Sequence, residues 1–303
     1  MSIGDAWRSG MFEAMERRDL AEAGGGPRVL HVGLLGPLSL RMGRTPVTAS
    51  APKQRQVLAL LALNVGRVVT VPTLIEELWG DRPPRSHATT LQTYVLQLRN
   101  ALAAAGGGRP DARRILGTRH NGYLLEEGSC ETDVEAFERR VRAGRAAAEA
   151  GDHHRASELL SQALQLWRGP ALADVRKGGI LEIEAASLEE SRLGALERRI
   201  ESDLALGRHA DLLGELTRAV AKNPMNENLC AYLMIALYRT GRVGRSLEAF
   251  RRLRAVLNRE LGVEPCRRLQ RLQMAILSGD PALDDWSTLW SPEEFAASRA
   301  VDA

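Results

Sequence analysis

Over "HATTLQTYVLQLRNAL" the apolar residues recur with helical spacing. At about 100° per residue, Leu91, Val95, Leu98 and Leu102 fall within one narrow stripe, the pattern of a helix packed on a core. Thr89, Thr90, Thr93, Gln97 and Asn100 fall on roughly the opposite side. That face is hydroxyl and amide rather than charged, whereas a merely solvated face more often carries Lys, Glu and Arg. Two readings fit the helix alone: a Thr/Gln-rich surface, or a face whose side chains hydrogen-bond base edges or touch a thymine methyl. Leu96 also points outward, which a groove or protein contact explains better than solvent does.

After this helix the period changes. Ile115–Leu116 and Tyr123–Leu125 are short apolar runs on either side of His120–Gly122, which predicts a β-hairpin with Asn-Gly favouring a positive φ in its turn. Arg113, Arg114 and Arg119 lie in or just before the hairpin, where they could reach phosphates or a minor groove. Ala103–Asp111, between helix and hairpin, reads as an irregular loop. Upstream, Val29–Ser50 reads as short strands broken by Gly and Pro. One helix then opens with Pro52 and stops before Gly66, and a second opens with Pro72 after Thr70 and stops at Gly80. Strands, helix, helix, longer helix, hairpin is the order of a winged helix-turn-helix with an N-terminal sheet.

From Glu131 onward no strand is predicted. Seven helical patterns follow, and three junctions ("EAGDHHRASELL", "ALGRHADLLGEL", "RTGRVGRSLEAF") resemble one another. Gly207 and Gly241 are 34 residues apart, the tetratricopeptide period. Gly151 lies 56 before Gly207, so the stretch "RGPALADVRKGG" interrupts the repeat. The predicted fold is therefore mainly α with a small β part. A winged helix-turn-helix domain (28–127) is followed by an all-α tetratricopeptide-like domain (128–279), which would offer a concave face to partners. Residues 1–27 form an N-terminal extension, with a short helix over 1–23 ended by Gly24–Pro27, and residues 280–303 form a tail. The tail places Trp286, Leu289 and Trp290 at helical spacing in an acidic segment; docking on a partner, folding back and disorder all fit it.

Charge sharpens this picture. The chain carries only +3, yet residues 28–125 hold 13 Lys+Arg against 4 Asp+Glu, a net +9. The positive charge sits where helix and hairpin are, the distribution that counterion release from DNA requires. Three widely spaced cysteines, Cys130, Cys230 and Cys266, suggest neither a disulfide framework nor a zinc site. No P-loop, G-x-S-x-G or H-E-x-x-H motif occurs. His153–His154 read as a surface pair, and Glu189–Glu190 lie on a solvated helix face. We expect no enzyme, metal or cofactor, no membrane span, and a cytoplasmic, nucleoid-associated protein.

Residues 28–125 resemble the OmpR/PhoB-type winged-helix domain. "LALLALNVGRVVTVPTLIEELWGDRPP" and "LQTYVLQLRNAL" are similar, more narrowly, to the Streptomyces antibiotic regulatory proteins (SARP), and "LWRGPALADV" with the following helices resembles that family's bacterial transcriptional activation domain. The resemblance spans roughly residues 28–278. It implies that the long helix enters the major groove of double-stranded promoter DNA, with Thr90, Thr93, Tyr94 and Gln97 at DNA-facing positions beside Thr89. It implies a phosphate contact for Arg99, a minor-groove contact for Arg119, and an anchoring role for Tyr123 that includes touching the DNA backbone. Relatives often carry Arg at the positions of Leu96 and Gln97, so direct guanine reading there is not implied. Arg85, Ser86 and His87 flank the helix N-terminus, where backbone amides favour phosphate, and Lys53 and Arg55 are candidate backbone clamps. The resemblance further implies a homodimer on head-to-tail direct repeats near the −35 region, contacting RNA polymerase and its sigma factor to activate antibiotic biosynthesis genes. A protein-binding tetratricopeptide adaptor and a repressor are the rival readings.

Overall fold

The computed structural model describes residues 29–106 and 112–284. The expected N-terminal helix, the end of the Ala103–Asp111 loop and the Trp286/Leu289/Trp290 motif lie outside the described residues. The elements run β1 (Leu30–Gly33), β2 (Ser39–Met42), β3 (Thr45–Pro46), α1 (Pro52–Ala62), β4 (Val69–Thr70), α2 (Val71–Trp79) and α3 (His87–Ala105). A short helix α4 (Ala112–Ile115), the hairpin β5 (Leu116–Arg119) and β6 (Gly122–Leu125), and β7 (Cys130–Thr132) complete the winged helix. Ala103–Ala105 thus continue α3 rather than starting the loop, as alanine's helix propensity favours. Ala112–Ile115 form a helical turn that delays the first hairpin strand to Leu116.

β7 corrects the expectation of no strand beyond Glu131. It pairs parallel with β1 and completes a sheet of order β3-β2-β1-β7. Three residues with a central Glu are too few to show alternation in the sequence. A second sheet, β4-β6-β5, ties the wing to the start of α2. The apolar stripe of α3 is interior as predicted: Leu91, Val95, Leu98 and Leu102 are each at most 2% exposed.

Two compact units make up the chain. The first holds residues up to Glu135 together with Arg168–Ala186, and the second holds Ala136–Trp167 and the chain from Ser187. The stretch that interrupts the repeat pattern is therefore folded onto the winged helix. Arg168 N–H donates to Leu35 O at 2.8 Å and Leu172 N–H to Leu34 O at 3.0 Å. Asp174 Oδ1 accepts from Leu38 N–H at 2.7 Å. Asp133 accepts from Leu34 N–H at 2.7 Å and pairs with Arg168 at 3.1 Å.

The strongest of these attachments is a buried carboxylate. Glu77 of α2 is 3% exposed. It accepts from the N–H groups of Gly178, Ile180 and Leu181 at 2.6, 3.0 and 3.1 Å, and from Gln56 Nε2 at 2.9 Å. Those backbone donors open the helix α7 (Gly179–Ala205), whose first N–H groups have no partner within the helix and whose dipole favours an anion. A Cβ on Gly178 would lie 2.2 Å from the Glu77 carbonyl oxygen, so only glycine permits this approach.

The second unit is built from helix pairs: α5 (Asp133–Glu149) with α6 (His153–Leu164), α7 with α8 (His209–Lys222), and α9 (Glu227–Arg239) with α10 (Val243–Leu261), followed by α11 (Arg267–Ser278). One closing device joins each pair. Gly151, Gly207 and Gly241 take φ of 79°, 77° and 74°, and the next N–H returns to the carbonyl of Ala147, Asp203 and Leu237 respectively, a Schellman end. α9 is buried throughout Leu229–Leu237. One side packs on Ile200, Leu204, Leu212 and Leu216 of α7 and α8, the other on Phe250, Leu253, Leu269 and Leu272 of α10 and α11. This is the tetratricopeptide-like arrangement.

Replacing Glu77 by Gln removes the charge from the α7 N-terminus and sets a donor against N–H donors. We expect a loss of about 2 kcal/mol or more in the urea unfolding of the first unit, and a comparable loss for Gly178→Ala. Unchanged unfolding midpoints for both would refute the anchoring role.

Candidate nucleic-acid interface

α3 begins after Pro83–Pro84, which cannot themselves continue a helix N-terminally. Its N–H at His87 reaches Pro84 O at 2.9 Å, and Ser86 makes no side-chain cap. The amides of Ala88 and Thr89 are left for an external acceptor, and exposed Arg85 stands beside them. His87 Nδ1 is also within 2.9 Å of Pro84 O, which holds the imidazole close to the loop.

The outward side of α3 agrees with its sequence pattern. Thr89, Gln92, Thr93, Leu96, Gln97 and Asn100 are exposed, while Thr90 and Tyr94 are half-buried at its margins. Leu96 is 57% exposed, on a helix whose other large apolar side chains are interior. Thr93 Oγ1 donates to Thr89 O at 2.9 Å, so the hydroxyl offers lone pairs and its methyl to the outside. Gln54 of α1 donates through Nε2 to Gln97 Oε1. Sequence reasoning missed Gln54, since nothing local links it to a partner 43 residues away.

The wing projects beside this face. Arg119 pairs with Gly122 across the hairpin, and Asn121 takes the positive φ of 65°. The Asn-Gly signal therefore divides: Asn121 makes the turn, and Gly122 serves as a strand residue. A Cβ there would lie 2.4 Å from Val69 O on β4. Arg119, about half exposed, forms an ion pair with Glu126 at 2.6 Å. Arg113 and Arg114 are exposed on α4, just before the first strand of the wing.

Four of the residues expected to contact DNA are packed against or bonded to groups within the domain. Lys53 Nζ donates to Leu78 O at 3.0 Å and sits 4.2 Å over the Trp79 ring; burial, then the nearby Arg176, lowers its pKa. Arg55 pairs with Asp174 at 2.6 Å with its side chain 20% exposed. Arg99 directs Nε and Nη2 to Leu116 O at 3.0 and 2.8 Å, and Nη2 to Thr118 Oγ1 at 2.7 Å. It thus holds the base of the wing to α3. Tyr123 is 8% exposed, between Thr118 and Val69 in the sheet. Among the described residues no group of His, Cys, Asp or Glu is placed to hold a metal, and no helix is long and apolar enough to cross a membrane.

Comparison with known proteins follows this division. Residues 45–125 match the model described as "Transcriptional regulatory protein, C terminal", and residues 132–277 match the bacterial transcriptional activator domain. Regulatory protein DnrI of Streptomyces peucetius is 52% identical over 257 residues, covering 84% of this chain and 94% of the relative. The chain belongs to the Streptomyces antibiotic regulatory protein family. Another SARP-family relative, the transcriptional regulator RedD of Streptomyces coelicolor, is 39% identical over 86% of this chain and 74% of its own length. Mycobacterium tuberculosis EmbR, solved in complex with a low-affinity phosphopeptide, superposes with a TM-score of 0.80 at 36% identity, over 90% of this chain and 70% of that one. This SARP-family chain is accordingly a transcriptional regulator with an OmpR/PhoB-type winged helix and a bacterial transcriptional activation domain.

The two arginines nearest the wing should behave differently. Arg99→Ala leaves carbonyl and hydroxyl acceptors without their donor, and should cost about 1–3 kcal/mol in chemical unfolding. Arg119→Ala removes an exposed ion pair and should shift stability by less than about 1 kcal/mol. Equal losses would contradict these roles.

Proposed function

We propose that this protein activates secondary-metabolite biosynthesis genes by binding direct repeats at the −35 region of their promoters and recruiting RNA polymerase. The observation that supports this most is the exposed, uncharged face of α3 beside the arginine-bearing wing. In this reading α3 lies in the major groove, where Thr89, Thr93 and Gln97 meet base edges and Thr90 and Tyr94 line the margins. Arg85, Ser86, His87 and the first-turn amides of α3 meet a phosphate, Arg113 reaches the backbone, and Arg119 enters the neighbouring minor groove. Lys53, Arg55, Arg99 and Tyr123 act indirectly, by holding the helices and wing in place. Two protomers on one face of the duplex need repeats spaced by about one helical turn. The helical domain holds the protomers together or meets polymerase and its sigma factor. The protein works by binding rather than by catalysis, in the cytoplasm on the nucleoid.

A DNase footprint on the promoters around its own gene should show protected direct repeats, with affinity falling steeply as salt rises. Arg119→Ala should weaken binding to all sequences and reduce the salt slope by about 1, whereas Thr93→Ala should alter sequence preference. Binding insensitive to both substitutions refutes the groove assignment. In reconstituted transcription the protein should raise the transcript level; a lowered level would make it a repressor.

A further inference from the structure

The proposed groove placement leaves open how α3 selects bases at Leu96 and Gln97. On the helix these two residues flank the centre of the exposed face, with Thr93 between them. An amide can both donate and accept, and with both ends available it matches adenine, which shows a donor and an acceptor in the major groove. Gln97 does not have both ends available, because its Oε1 is held by Gln54 Nε2 from α1. The two ends of a planar amide diverge, so an oxygen turned toward α1 leaves the nitrogen facing outward as a donor. Beside it, Leu96 offers an aliphatic surface that is 57% exposed.

A donor next to an apolar surface matches one base edge. Thymine presents the O4 acceptor and the C5-methyl; guanine presents acceptors without a methyl, cytosine a donor, and adenine a donor beside an acceptor. We infer that Leu96 and Gln97, with Gln54 as the residue that orients the Gln97 amide, read a thymine in the bound half-site. Gln97 Nε2 donates to thymine O4 and Leu96 packs on the methyl. Thr93, whose hydroxyl hydrogen is committed to Thr89 O, adds a methyl to the same surface. Gln54 touches no base and acts through Gln97.

This inference rests on the proposed major-groove placement of α3. Its test uses the full chain and duplexes selected by it from a randomised DNA pool, in which each thymine is replaced in turn by deoxyuridine. The replacement removes only the methyl, and at one position of the half-site it should weaken binding roughly fourfold, the worth of one buried methyl group. Leu96→Ala should bind the thymine duplex more weakly and be indifferent to that replacement. In Gln54→Glu the carboxylate accepts from Gln97 Nε2 and turns the amide round, so that Oε1 faces outward. Preference at that base pair should then move from thymine toward adenine or cytosine, read as a ratio of affinities because the added charge weakens binding to every duplex. A chain that selects no duplex overturns the DNA-binding reading and this inference together. A chain that selects a duplex but tolerates deoxyuridine at every position overturns the thymine contact alone. A Leu96→Ala variant that keeps the wild-type sensitivity does the same. Unchanged base preference in Gln54→Glu removes Gln54 from the reading.

Discussion

A carboxylate in an apolar interior is tolerable only where donors meet it, and the winged helix is organised around one that meets four. Glu77 gathers three backbone N–H groups at Gly178, Ile180 and Leu181 and the amide of Gln56. Without the carboxylate, the α7 N-terminus would present unsatisfied donors to a buried site. Without those donors, α2 would bury an uncompensated charge. Each half is costly alone, so the stretch Arg168–Ala186 and the helix-turn-helix behave as one folding unit, although more than 30 residues of the second unit separate them in the chain. The helix that Glu77 receives continues in sequence into the second unit.

The same constraint reaches the proposed reading face through α1. Four consecutive side chains of this helix reach three different segments. Lys53 reaches the end of α2, Gln54 reaches Gln97 on α3, Arg55 reaches Asp174, and Gln56 reaches Glu77. A helix rotates each successive residue by about 100°, so α1 holds α2, α3 and the returning segment at once. Its C-terminal half, Val57–Ala62, is buried on every side and leaves it little freedom to rotate. The position of the Gln97 amide is therefore set by packing that begins beneath α3.

Much of this was legible because it is local. The stripe of Leu91, Val95, Leu98 and Leu102, the exposed threonines, the hairpin at Asn121 and the repeated Gly151, Gly207 and Gly241 are properties of neighbours in sequence. The partners of Lys53, Arg55 and Arg99 were not legible. A basic residue on a polar face looks the same whether it awaits a phosphate or already meets Asp174, 119 residues away. Gln54 and Glu77 were passed over for the same reason, since their roles exist only once distant segments meet. Strand β7 was too short to carry a period. The discontinuous boundary of the first unit was hidden because "RGPALADVRKGG" shows in sequence only that the repeat is broken, and nothing about where it goes.

The internal partners also sort the cations by availability. Arg55 and Arg99 hold partners in half-buried positions, where breaking a charged hydrogen bond costs about 1.5–3 kcal/mol, so neither is readily given up to a phosphate. Arg119 is different. Its pairing with Glu126 is exposed at the arginine end, and such pairs contribute only about 0–1 kcal/mol. In the proposed complex, exchange of that carboxylate for the field of a narrow minor groove costs the wing little. Part of the net +9 of residues 28–125 is thus already engaged within the domain, by Arg55 with Asp174 and by Arg99 with Leu116 and Thr118.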